Sequence, residues 1–305
     1  MIANKLNSNS TIGIISPASP CDLDKLESSI RYIENLGFNI KKGKHIYDKW
    51  GYLCGSDIDR ASDLINMFLD DSVDMILCIR GGYGTMRILP YIDFDLIKSH
   101  PKIFAGFSDI TTLLNYISLK CNLTTFHSPM LTSNFNDKYT FKSFFNTLKF
   151  GNSPYIIENP PNIKVKALTD KKIEGQLVGG NLSLICSTIG TAYEIDTKDK
   201  ILFIEEVGEP CYKIDRMLTQ LDLSGKLNCC KGFILGQFTN CIYSKGENKI
   251  ILKDIIKDKI LKFKKPTLIN FMTGHSYPNL TLPIGAKIKL NCPKKYIKVI
   301  EPVVK

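Results

Sequence analysis

The chain of 305 residues is 44% hydrophobic and 23% charged, with a formal net charge of +10 and 10 cysteines. It is long enough for a sizeable core and for two domains. No apolar run approaches a membrane span, and the polar N-terminus, whose first apolar patch runs only from Ile12 to Ile15, resembles no secretory signal, so a cytoplasmic protein without a membrane partner is expected.

In chain order, the spacing predicts a buried strand over 11–16, a helix over 22–37 closed by Gly37, and a helix over 56–71 capped by Ser56. Apolar runs of strand length follow at 73–80 and 102–107, and helical spacing returns over 110–120. Strands alternating with helices imply parallel βαβ units with both sheet faces covered, hence an N-terminal α/β domain of flavodoxin or Rossmann type over 1–150. Between 151 and 172 the texture turns to proline, asparagine and glycine with little periodicity, as in a linker. Beyond it, 201–206, 225–238, 280–292 and 296–302 read as strands around one clear helix at 211–223, so 173–305 is expected to form a smaller, mainly β domain.

The cysteines form no CxxC pair and no Cys/His metal spacing, which removes the usual signs of a disulfide framework or a metal site. The lysine excess is scattered along the chain, with no basic helix and no aromatic-basic motif, which argues against a nucleic-acid partner.

Chemistry concentrates where predicted strands end. Ser108 closes the run 102–107 just as a helix begins, the place where open parallel sheets gather ligands. Two readings are open there: a helix cap, or a nucleophile on a sharp strand-to-helix turn that Gly106 permits. A nucleophilic serine needs a base, and there are four histidines. His45 in a basic stretch and His100 before Pro101 look solvated, whereas His127 and His275 both sit in loop-end positions and stay level. A carboxylate to orient the base is offered by Glu205, Glu206 and Glu209 at the end of 201–206, and strand alternation lets only one of Glu205 and Glu206 serve. The segment 80–87 follows a strand, contains three glycines and lacks the phosphate-loop and dinucleotide spacings, so it reads as a turn or as a source of backbone N–H donors.

Taken together and in order, GIISPAS, CIRGGYGTMRILPYID, GFSDIT, TTFHSPM, GGNLS, ILFIEEVGEPCYKIDRMLTQL and GHSYPNLTLPIGA resemble the muramoyltetrapeptide LD-carboxypeptidases, whose close relatives are the microcin C immunity peptidases. The resemblance spans nearly the whole chain. It implies a two-domain serine peptidase without metal or cofactor, with Ser108 as nucleophile, His275 as base and Glu205 as the orienting acid. It also implies backbone N–H groups of Gly82 and Asp109 as oxyanion donors, a murein tetrapeptide cut before its terminal D-alanine as substrate, and a homodimer. Glu206 stands where many relatives carry aspartate, which leaves the triad untouched. Arg80, Tyr83 and Asn181 are candidates for substrate binding. The rival enzymatic reading is hydrolysis of a toxic aminoacyl-nucleotide. Relatives of that kind carry a longer loop with an aromatic to stack on the base, whereas the single tryptophan here, Trp50, lies early in a compact chain, which favours the carboxypeptidase. A non-catalytic binding module would need none of the three matched residues.

Overall fold

A computed structural model describes residues 1–242 and 250–305. The chain divides into two compact units, Met1–Ser153 with Thr281–Gly285 and Pro302–Lys305, and Pro154–Leu280 with Ala286–Glu301.

In the first unit, β1 (Thr11–Ile15), β2 (Asn39–Lys42), β3 (Met75–Cys78), β4 (Ile103–Gly106) and β5 (Thr125–His127) lie parallel in the order 2-1-3-4-5, and a strand at Leu282–Ile284 pairs antiparallel with β5. Both β3 and β4 are buried at every position, as the unbroken apolar runs require of central parallel strands. Helices α1 (Leu23–Asn35), α2 (Asp57–Leu69), α3 (Thr85–Ile88), α4 (Phe94–Ser99), α5 (Thr111–Cys121) and α6 (Lys138–Phe150) occupy the connections and the segment after β5. Their starts follow local chemistry: the side chains of Asp22, Ser56, Asp93 and Asp137 each accept a backbone N–H of the first turn. Strand order reverses between β1 and β3, which opens a crevice at the carboxyl ends of those strands. The loop after β4, which carries Ser108, leaves from the same end.

The second unit holds β6 (Tyr155–Ile157), β7 (Lys166–Ala167), β8 (Lys172–Asn181), β9 (Ile201–Val207), β10 (Gly232–Thr239) and β11 (Thr267–Ile269). With the first-unit strand Leu282–Ile284 counted as β12, it is completed by β13 (Lys287–Asn291) and β14 (Tyr296–Val299). The sheet order is 6-14-13-8-9-10-11-7, with β8 to β11 parallel and the flanking pairs antiparallel. Helices α7 (Leu182–Ser187), α8 (Cys211–Leu223), α9 (Lys226–Cys229) and α10 (Leu252–Lys259) complete this unit. Ile214, Leu218 and Leu221 of α8 share one core cluster with Leu202, Ile204, Phe233 and Leu235 of the sheet.

Three segments differ from the sequence reading. The stretch 151–172 contains β6 and β7, which form the two edges of the second sheet. The predicted strand 280–292 bends at Gly285 (φ +88°), so that β12 and β13 join different sheets. Residues 226–229 of the predicted strand 225–238 form α9. Among the described residues, no helix is long and apolar enough to cross a membrane.

One glycine is indispensable to the second sheet. Gly179 in β8 has φ +128°, and a Cβ there would stand 1.9 Å from the Phe203 carbonyl oxygen of β9. Gly179→Ala is therefore expected to destabilise the protein by more than about 3 kcal/mol, the upper end for overpacking, because rigid backbone is what must move. Urea denaturation measures this, and a loss below about 1 kcal/mol would show that the two strands can separate cheaply.

Candidate active site

Ser108 begins a single 3-10 turn, Ser108–Ile110, between β4 and α5, and its φ is +62°. A cap would sit in extended backbone; a serine in the left-handed region is uncommon and marks a strained turn. Gly106 makes that turn possible, since a Cβ there would lie 3.0 Å from the buried Ile110 side chain. The geometry is that of a strand-to-helix elbow that presents a side chain at a sheet edge.

The loop after β3 closes over this elbow. A Cβ on Gly81 would fall 2.9 Å from Ser108 Cβ, 3.0 Å from Ser108 Oγ and 3.3 Å from the Asp109 nitrogen. The φ of Gly81 is not in the left-handed region, so what glycine supplies here is close approach: any side chain at 81 would collide with Ser108, and its absence lets the loop after β3 lie directly against the Ser108 hydroxyl and the Asp109 nitrogen. Gly82 comes next with φ +124°, and Ser19, from the loop after β1, accepts the Tyr83 N–H at 3.2 Å.

Buried polar groups fasten these loops. Thr85 donates its N–H to Asp109 Oδ2 at 2.8 Å and its hydroxyl to the Asp109 carbonyl at 2.5 Å, which ties α3 to the elbow. Arg60, 1% exposed, donates to the carbonyls of Pro17 at 2.6 Å and Gly84 at 2.9 Å, and pairs with Asp57. One guanidinium thus joins the loops after β1 and β3. Burial raises the Asp109 pKa to about 6, against the lowering effect of its Thr85 and Gly84 hydrogen bonds and of Arg60.

In the second unit, His275 Nδ1–H donates to Glu205 Oε2 at 2.7 Å. Glu205 is fully buried at the end of β9, and burial pushes its pKa up while the His275 hydrogen bond pulls it down. With the proton on Nδ1, the basic lone pair of the imidazole is on Nε2. Gly274 (φ +129°) brings the histidine loop onto the acid, since a Cβ there would lie 2.7 Å from Glu205 Oε2. The loop is braced by Thr273, whose hydroxyl donates to the Leu280 carbonyl at 2.9 Å, and by Asn279, whose Oδ1 accepts the Gly274 N–H at 3.1 Å.

Glu206 has other partners. It accepts from Asn181 Nδ2 at 3.0 Å, from the Ser183 N–H and hydroxyl at 2.8 and 2.7 Å, and from the Val207 N–H. Asn181 is 2% exposed, and its Oδ1 caps α7 by accepting the Leu184 N–H at 3.2 Å. Among the other candidates, Arg80 is exposed, donating to the carbonyls of Gly81 and Pro20, and Tyr83 is 45% exposed on the glycine loop. His127 is fully buried at the end of β5, opposite Gly106, with its ring edge-on to Phe107. His100 Nδ1 is 3.0 Å from the Leu96 carbonyl. Rather than being merely solvated, His45 bridges two carboxylates, at 2.9 Å from Asp48 and 3.6 Å from Asp59, because the chain before α2 folds back over that helix's first turn. Among the described residues this trio is the one grouping of three candidate metal ligands.

Gly81, Thr85 and Arg60 escaped the sequence reading. The first belonged to a loop read as a turn or a source of backbone N–H donors, in which Gly82 and not Gly81 was singled out, and a buried arginine in an amphipathic helix leaves no periodic signal.

Comparison with known proteins follows the same division. Residues 12–128 match the LD-carboxypeptidase N-terminal domain and residues 174–290 the LD-carboxypeptidase C-terminal domain. A probable murein peptide carboxypeptidase of Bacillus subtilis is 43% identical, with 95% of this chain and 91% of that protein covered. The microcin C7 self-immunity protein MccF of Escherichia coli is 27% identical, with 99% of this chain and 96% of its own covered, and a wild-type apo structure of MccF gives a TM-score of 0.92 at 25% identity over 100% of both chains. The crystal structure of a muramoyltetrapeptide carboxypeptidase from Oxalobacter formigenes gives a TM-score of 0.83 at 26% identity, with 94% of this chain and 97% of that one covered.

The raised pKa of Asp109 makes stability depend on pH. Its contribution is fully present below the unfolded pKa of about 4 and is lost as the pH rises through about 6. Relative to Asp109→Asn, the wild type should therefore lose about 2 to 3 kcal/mol of stability between roughly pH 4 and pH 7. Paired urea titrations at the two pH values test it, and a difference that does not change with pH would mean that Asp109 stays ionised throughout.

Proposed function

The chain belongs to the LD-carboxypeptidase family, and from that premise we propose that it is a serine carboxypeptidase that hydrolyses the bond between the L-centre of a diamino acid and the terminal D-alanine of murein tetrapeptides. Ser108, His275 and Glu205 form its triad, and the backbone N–H groups of Gly82 and Asp109 its oxyanion hole. The observation that carries this reading is the Ser108 elbow at φ +62°, with the backbone of Gly81 packed directly against Ser108 Oγ and the Asp109 nitrogen. Support for the substrate comes from the murein peptide and muramoyltetrapeptide carboxypeptidases to which the chain is similar.

In this mechanism Ser108 Oγ attacks the scissile carbonyl carbon while its proton passes to His275 Nε2. The carbonyl π pair moves to oxygen, which the two N–H groups receive. Collapse of the tetrahedral intermediate breaks the C–N bond, and the amine of D-alanine leaves with the proton from His275. Water then gives a proton to His275 and attacks the acyl-enzyme, and the second collapse returns that proton to Ser108. Glu205 holds the imidazole by the 2.7 Å hydrogen bond and stabilises its cationic form. Arg80 receives the terminal carboxylate of the substrate, Tyr83 lines the same loop, and Asn181 acts through the glutamates it touches. The same reading expects a cytoplasmic homodimer that works in cell-wall recycling without a cofactor.

Mass spectrometry of murein tri-, tetra- and pentapeptides, and of an aminoacyl-nucleotide, after incubation with the protein tests the proposal. Loss of one alanine from the tetrapeptide alone is the expected result; cleavage of the nucleotide alone would transfer the chain to the immunity reading. Ser108→Ala and His275→Ala should each lower kcat by several orders of magnitude, and the double variant by little more, because groups that act as one unit are not additive. A single variant that kept a tenth of the wild-type rate would remove its residue from the mechanism.

Gly81→Ala provides a separate check on the oxyanion site. A methyl group there would collide with Ser108 and push the loop after β3 away from it, which should cut kcat/KM by about two to three orders of magnitude, comparable to the loss of one oxyanion donor. Retained activity would mean that the reacting oxygen lies elsewhere.

A further inference from the structure

The strand that leads to His275 ends early. β11 stops at Ile269, and the residues from Asn270 to Gly274 carry the chain to the histidine outside any strand, with Phe271, Met272 and Thr273 buried. Buried backbone groups outside a ladder need partners from elsewhere. Here side-chain amides supply them. Asn159, in the segment between β6 and β7, accepts the Met272 N–H on Oδ1 at 2.8 Å and donates Nδ2 to the Asn270 carbonyl at 2.8 Å. One amide thus pairs with a C=O and an N–H two residues apart, as a residue of a neighbouring parallel strand would. Gln237 takes the carbonyls that Asn159 does not: its N–H donates to Thr273 at 3.1 Å, and Nε2 donates to Phe271 at 3.3 Å and to Asn270 Oδ1 at 3.2 Å. Asn270, at φ +65°, donates its own Nδ2 to the Lys164 carbonyl at 2.9 Å, which ties the turn back to the segment that carries Asn159. Gln237 reaches the turn through an irregularity in β10. Pairing with β9 shifts register between Leu235 and Phe238, and a Cβ on Gly236 would lie 2.6 Å from the Thr273 carbonyl oxygen and 3.2 Å from Glu205 Cβ. Bulges of this kind re-aim side chains beside active sites.

We propose that Asn159, Asn270 and Gln237 are positioning residues, whose amide network fixes the backbone of 270–274 so that His275 Nδ1 meets Glu205 Oε2 and Nε2 keeps one direction. The catalytic consequence rests on His275 being the base of the function proposed above. The amides act through the loop, by bonding the carbonyls and N–H groups of Asn270 to Thr273. A 2.7 Å hydrogen bond between a loop histidine and a strand glutamate needs such a frame, because a misplacement of about 1 Å can cost about a hundredfold in rate. Amide side chains suit the task. Each offers a donor and an acceptor in one plane, as the missing strand would, and brings no charge near the buried acid.

Isosteric variants separate hydrogen bonding from shape. Asn159→Asp keeps the shape and the acceptor but, ionised at about pH 8, loses the donor to Asn270 and sets a charge against its carbonyl. It should lower kcat by about ten- to a hundredfold with KM changed by less than about twofold, and Asn159→Ala should do the same. Gln237→Met, which keeps the length and removes the amide, should match them. A second readout needs no substrate: the His275 Nδ1 proton, held by Glu205, gives a proton NMR line far downfield, identified by its absence in His275→Ala. That line should broaden or vanish in each variant, while urea titration shows the protein still folded. Wild-type activity in Asn159→Asp with the line intact would overturn the proposal, as would a reduced rate beside an intact line in all the variants. Where one variant fails to fold, the line and the rate in the others decide. If the wild type cleaves no murein peptide, the function proposed above falls, and the NMR line alone decides whether the amides place His275.

Discussion

Holding a serine at φ +62° costs on the order of 1 to 2 kcal/mol, so Ser108 stays there only because its neighbours leave it nowhere else to go. Ile110 is wholly buried and fixes the far side of the turn; Gly106 gives it the room. Asp109 is buried with its carboxylate and carbonyl both bonded to Thr85. The cost of burying that carboxylate, visible in its raised pKa, is accepted where it locks the elbow to the loop that must face it. Each of these side chains would be a poor choice on local grounds. Together they over-determine one backbone conformation.

A related logic separates two adjacent glutamates. Alternation along β9 sends Glu205 and Glu206 to opposite faces, and each face has its own hydrogen-bond supply. Glu206 meets two backbone N–H groups, an amide and a hydroxyl, enough to satisfy a buried carboxylate, and it organises the start of α7. Glu205 meets a histidine, and glycines at 236 and 274 let the neighbouring backbone approach so closely that the acid is enclosed. A carboxylate enclosed in this way favours a positive charge beside it, which is what an orienting acid must do when its histidine gains a proton.

Much of this was legible in the sequence, and what was not has a physical cause. The apolar runs at β1, β3, β4 and β9 and the amphipathic spacing of α1, α2 and α8 identified those elements, since period and length suffice for central strands and capped helices. The three-residue strands β5, β6 and β11 and the two-residue β7 lack the length for a pattern, and their pairing partners lie far away in sequence. Ser108 and Glu205 stood out because each lies at the end of a recognisable strand, whereas His275 sits in a turn-rich loop and was singled out only by the family resemblance. Between His127 and His275 local reading could not choose, for both end strands or enter loops. What distinguishes them in the structure is a carboxylate seventy residues away for His275 and an aromatic edge for His127. Trp50 looked remote because it comes early in the chain, yet the segment between β2 and α2 returns to the loops after β1 and β3.

That return is one instance of how the first unit gathers its loops at one edge. In a parallel sheet of order 2-1-3-4-5 every strand delivers its following loop to the same end, and the reversal between β1 and β3 prevents one connection from covering the next. The loops after β1, β2, β3 and β4 therefore converge, although 92 residues separate Ser16 from Ser108. Loops that meet in this way carry backbone groups that no strand satisfies, and a buried polar side chain must take their place. Arg60 serves this need: with donors on Pro17 and Gly84 it joins two loops that share no ladder, and its charge is balanced by Asp57, which also holds Arg87 over the Trp50 ring. The glycine loop and the Arg87–Trp50 contact are thus tied to one ion network set into α2. The sheet brings these segments to a common edge, and the buried charges fix them there.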